Sequence, residues 1–145
     1  MPTTQAAVKA ALKVAVLART FITNNHIQVL YGEPGDEGRR ECIWIGTSFT
    51  EAPQEPRAFR KGLRLEEYTL KVRAEAGLDP TPEKAEARAV LLADEVEATI
   101  IDSINLGVAN VSYISPAGGG LQSTEGDESS RAIATINLQI VARLV

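Results

Sequence analysis

Cys42 and His26 are the single cysteine and the single histidine of this 145-residue sequence. A thiolate and an imidazole brought together in space could attack a carbonyl and shuttle its proton. Each has a simpler reading. Cys42 lies in the apolar run ECIWIG, where a small buried hydrophobe is expected. His26 follows TNN and reads as a surface turn residue, with no Cys, Asp or Glu beside it. One Cys and one His do not make a zinc site of the usual kind, and a lone cysteine allows no internal disulfide. Asp36, Glu37 and Glu41 could ligate a divalent ion, but their spacing is not that of a calcium loop. GEPGDEG, residues 32–38, lacks the Lys-Ser/Thr pair and the helix that would make it a phosphate cradle. It reads as a solvated hairpin tip. No catalytic residue, metal ligand, cofactor or cofactor-binding residue is therefore assigned, and the expectation is a protein that is not an enzyme.

The non-catalytic signals lie in loops. EAPQEPRAFRKG, residues 51–62, holds two prolines and then Arg57, Arg60 and Lys61. With Phe49 and Phe59 it places aromatics among cations over residues 48–62, a composition typical of interface anchors. The same composition also reads as a plain solvated loop. PAGGGLQSTEGDESS, residues 116–130, reads as a glycine-rich, acidic, mobile loop. Net charge is −4. A protein that grips phosphates would usually be strongly basic, so a nucleic-acid binder of that kind is not expected. Charge is uneven: residues 1–32 hold three cations and no anion, whereas residues 80–106 hold two cations against six anions.

The elements that must carry these loops follow from periodicity. Residues 4–22 are expected as one helix, with Thr3 or Thr4 as N-cap and a stripe of Ala7, Ala11, Val14, Leu17, Ala18 and Phe21. HIQVLYG and CIWIGTSF read as strands joined by a hairpin-type loop. CIWIGTSF is apolar on both faces, so both should be covered. LRLEEYTLKVRAEAG alternates, with Tyr68, Leu70, Val72, Ala74 and Ala76 on one face. A long helix follows. Thr81 is its expected N-cap, Pro82 its first residue and Gly107 its C-cap, with Ala85, Ala89, Leu92, Val96, Ile100 and Ser103 as its stripe. VANVSYIS and RAIATINLQIVARLV close the chain as a strand pair. The expected fold is α+β, in the order α-β-β-β-α-β-β. About five strands form a mostly antiparallel twisted sheet, with the long helix on one face. One domain spans residues 1–145, with an extended loop at 48–62. The first residues do not read as a secretory leader, because Lys9, Lys13 and Arg19 interrupt the apolar stretch, and no span of 18 apolar residues is present.

Taken together, the N-terminal helix, IQVLYGEPGDEGRRECIWIG, the long loop, EEYTLKVRAEAGLDPTPEKAEARAVLLADEVEATI and two closing strands resemble the tail terminator family of long-tailed bacteriophages, also called tail completion or minor tail proteins. The likeness covers nearly the whole chain and is one of pattern rather than of a rigid motif. It implies a structural virion protein. Six copies would form a ring at the head-proximal end of the tail tube, assembled in the host cytoplasm. The ring would end tube polymerisation and provide the surface for head-tail joining. The implied partners are the chain itself, the major tail tube protein and a connector or stopper protein; DNA would pass through the lumen without specific binding. No membrane partner is implied. On this reading Phe49, Arg57, Phe59, Arg60 and Lys61 are candidate interface residues, and Asp36, Glu37, Asp127 and Glu128 are candidate lumen-facing residues that could repel DNA. Two alternatives stand beside it: another head-tail connector or neck subunit, and a small α+β enzyme or ligand-binding domain.

Overall fold

A computed structural model describes residues 3–32, 41–46, 58–60, 63–79, 81–125 and 130–144. The element order is α1 (Gln5–Leu17), α2 (Thr20–Asn24), β1 (Gln28–Leu30), β2 (Glu41–Ile45), β3 (Ala58–Arg60), β4 (Leu63–Asp79), α3 (Pro82–Asp102), β5 (Val111–Glu125) and β6 (Ser130–Leu144). The class is α+β, as expected. The strands form one sheet in the order β1-β2-β4-β6-β5, with β3 paired to β4 off that path.

Period-two alternation sets the sheet's inner face. Tyr68, Leu70, Val72, Ala74 and Ala76 of β4 are buried, and so are Ala132, Ala134, Ile136, Leu138, Ile140 and Ala142 of β6. The two strands run antiparallel in register, with Leu70 opposite Leu138 and Val72 opposite Ile136. α3 lies over this face and buries Ala85, Ala89, Leu92, Val96 and Ile100 at three- and four-residue steps. Thr81 caps its start, accepting from the Lys84 amide at 3.4 Å, and Pro82 opens the first turn. Ile43 and Ile45 of β2 extend the same core. Their neighbours Cys42 and Trp44 are buried on the opposite face, Trp44 beneath Arg73 at 4.6 Å. Both faces of that strand are covered, as its composition requires.

Several expectations are corrected. The first helix breaks at Ala18–Arg19, where Arg19 turns extended (φ −69°, ψ 137°) and α2 starts afresh. Restarting the helix at Thr20 brings Ile22 of α2 into the core, where it is fully buried. Thr4 holds the N-cap position, but its hydroxyl donates to Glu66 Oε1 at 2.6 Å instead of capping. The buried face of α1 is Val8, Leu12 and Val16; Ala7, Val14, Leu17 and Ala18 of the expected stripe are exposed. β1 and β2 pair parallel, with Gln28 opposite Cys42, so the two strands are not the expected hairpin pair. The order gains α2 and β3, the latter within the expected 48–62 loop. α3 ends at Asp102, with an exposed Ser103 as C-cap; Gly107 (φ +71°) serves the following turn instead.

Residues 116–125, expected as loop, belong to β5 and pair along β6 to Glu125–Ser130. β5 is an edge strand, and an edge tolerates proline and glycine. The register shifts between Pro116 and Gly119. Gly118 there has φ +103°, and a Cβ on Gly119 would collide with the Thr135 carbonyl oxygen.

Candidate assembly interface

The single cysteine lies in the core and the single histidine at the surface. Cys42 is fully buried and donates weakly to Glu75 Oε2 at 3.5 Å. Burial first, then the adjacent Glu75 charge and hydrogen bond, push its thiol up to about 12. Glu75, itself buried, accepts from Arg131 Nη2 at 2.6 Å. A thiol protonated at neutral pH is a poor nucleophile. His26 is exposed in a turn with φ +53°. Among the described residues no three His, Cys, Asp or Glu side chains gather to hold a metal ion. A shallow groove of about 420 Å³ lies between α1, α2 and α3, lined by Ala15, Ala18, Arg19, Thr20, Phe21 and Glu95. Its charges neutralise each other: Arg19 Nε donates to Glu95 at 2.5 Å and Arg19 Nη1 to Asp102 at 2.9 Å. The Glu95 bond holds the Arg19 pKa above its ordinary value, against the opposing effect of burial.

Most of the candidate assembly residues, Asp36, Glu37, Phe49, Arg57, Lys61, Asp127 and Glu128, lie outside the described residues. Phe59 and Arg60 lie in β3, whose backbone pairs with the start of β4 through Ala58–Arg64 and Arg60–Leu63. The flanks of the two acidic segments can be placed. Glu41 is opposite Ala76, Ala76 opposite Ala132, and Ala132 opposite Ser123. The end of segment 33–40 and both ends of segment 126–129 are thus anchored at one end of the sheet. β3 lies at the other, where Arg64 is opposite Leu144. Glu41, Glu125 and Ser130 therefore lie at the end of the sheet opposite β3.

Besides Tyr31, Ile104 and the β5 residues Tyr113 and Leu121, the large exposed apolar side chains among the described residues are on the helix layer. α1 has two apolar faces. Val8, Leu12 and Val16 face the core, while Ala6, Ala7, Ala10, Val14 and Leu17 face outward, with Val14 69% exposed. Lys9 and Lys13 are half-buried along one border between the faces, Lys9 over the Tyr31 ring at 4.1 Å. On α3, Val90, Leu91 and Ile101 are exposed, Ile101 to 74%. Scattered exposed apolar residues are ordinary, but a contiguous patch marks a surface that something covers. Sequence reading missed Val14 and Leu17 as surface residues, because an outward apolar stripe and a core stripe share one period. It did not single out Val90 or Ile101, although their place among six acids was visible. No protein-family model matches the chain, and no curated protein matches it.

Proposed function

We propose that this chain is a structural subunit of a ring, six-fold by resemblance, that caps the head-proximal end of a bacteriophage tail tube. The observation that carries the reading is the outward face of α1, which has no polar side chain along its length. Such a face is costly to leave in water and suits a subunit whose helices meet other subunits. The resemblance of the sequence pattern to tail terminators supplies the ring, its tail tube and connector partners, and its place at the neck of the virion. The acidic residues Asp36, Glu37, Asp127 and Glu128 suit a lumen that lets DNA slide, because they cannot neutralise phosphate.

Electron microscopy of tail tube protein polymerised with and without this chain tests the proposal. Six-fold rings on tube ends, and tubes that stop growing, are expected. Tubes that elongate unhindered and bare ends at saturating protein would overturn it.

A further inference from the structure

The two exposed apolar flanks of the helix layer lie toward opposite edges of the sheet. α1 packs on β1 and on the near side of α3, whereas α3 lies across β4, β6 and β5. Glu95 and Asp102, which hold Arg19, mark the side of α3 that faces α1. At about 100° per residue, Val90, Glu97 and Ile101 sit roughly 120–160° around the helix from Glu95. That turns them away from α1 and toward the free edge of β5, the last strand of the sheet.

The flanks complement each other. The α1 face presents Ala10, Val14 and Leu17 beside Lys13, in a stretch of chain that carries no anion. The α3 flank presents Val90 and Ile101 among Glu83, Glu86, Asp94 and Glu97, none of which joins a described ion pair. The alanines of α1 allow close approach of a second helix, and at about 1.5 Å per residue its 13 residues fit within the 21 of α3. We infer that α1 of one copy docks on the β5-side flank of α3 in the next copy. Because the patches differ and lie on opposite edges, the contact is head-to-tail and propagates into a ring or an open chain. Lys13 against the carboxylates sets register and speeds encounter, and the apolar centres supply the affinity. The inference rests on the ring reading above and names the surfaces that would close that ring.

Two double variants at exposed positions test it. One is Val14→Glu with Leu17→Glu; the other is Val90→Glu with Ile101→Glu. Circular dichroism checks that each stays folded, and light scattering after size exclusion reads the mass. Wild type is expected to self-associate and each variant alone to be a monomer. An equimolar mixture should give a heterodimer, since the first variant keeps an intact α3 flank and the second an intact α1 face. A mixture that stays monomeric, a variant that assembles like wild type, or a wild type that is monomeric at every concentration overturns the inference. The tail reading fails separately. Wild type that associates in this way but never caps tail tubes sinks that reading alone, whereas an α1 variant that still forms rings on tubes sinks this one alone.

Discussion

Arg19 Nε donates to Glu95 Oε2 at 2.5 Å, and this bond ties the break between α1 and α2 to the middle of α3. Both side chains are about a quarter exposed, 24% and 23%, so the pair is screened less than a surface ion pair but is not desolvated. Removing one partner leaves a half-buried charge behind. Glu95→Ala should therefore cost about 1–2 kcal/mol. A double-mutant cycle with Arg19→Ala should return a coupling of about 1 kcal/mol. Urea melts measure both, and a coupling of zero would mean that Asp102 alone suffices to hold the guanidinium.

The two faces of α1 should separate cleanly under mutation. Leu12 is fully buried, so Leu12→Ala should destabilise the subunit by about 2–5 kcal/mol. Val14 is largely exposed, so Val14→Ser should change monomer stability by no more than about 0.5 kcal/mol. Thermal melts at low protein concentration rank them. Equal losses would show that the outward face is already covered within the monomer.

How far the fold was legible depended on whether a residue pattern had one physical explanation or two. α3, β4 and β6 were legible because each has one apolar face and one more polar face, so periodicity names both the element and its buried side. α1 was not, because Val8–Leu12–Val16 and Ala7–Val14–Leu17 are both apolar at helical spacing. Choosing between them requires knowing which side meets β1. The second half of β5 was hidden by Pro116 and by glycines 118–120, residues of poor strand propensity; pairing with the fifteen-residue β6 overrides local preference. The parallel pairing of β1 and β2 was illegible because a two-residue period carries no strand direction. The acidity of α3 was plain in the sequence. That Val90 and Ile101 share its exposed flank needed the fold.

Alkaline pH should destabilise the fold through two buried groups. Burial, with help from Glu75, lifts the Cys42 thiol from 9.0 to about 12. Burial lifts the Tyr68 phenol from 10.0 to about 12; the Glu66 charge adds to this and the Thr4 hydrogen bond opposes it. In the unfolded chain both groups ionise at their ordinary values. The unfolded state thus gains from deprotonation before the folded state does. The contribution of Cys42 is whole below pH 9.0 and is lost as pH rises toward about 12; that of Tyr68 begins to fall at 10.0. Melting temperature followed from pH 7 to pH 11 should therefore drop, and Cys42→Ala should drop less steeply than wild type. Parallel slopes would show that Cys42 ionises equally easily in both states.

The last test concerns charge and DNA, and it depends on the tail reading. Glu41, where segment 33–40 ends, and Glu125 and Ser130, which flank segment 126–129, lie at one end of the sheet. If Asp36 and Glu37 face the lumen, as the resemblance implies, they keep it free of phosphate-binding charge. Replacing both with lysine adds two cations per subunit, about a dozen in a six-fold ring. Each would attract the passing duplex, and phosphate neutralisation releases counterions, so the attraction weakens steeply with salt. Particles carrying Asp36→Lys and Glu37→Lys should still assemble, because both positions already carry charge in a polar stretch rich in glycine. DNA ejection should slow at low salt and return to the wild-type rate as salt is raised. The measurement is ejection rate against ionic strength for both particles. Identical rates at every salt concentration would place Asp36 and Glu37 away from the DNA path, as ordinary solvated charges on the outside of the ring.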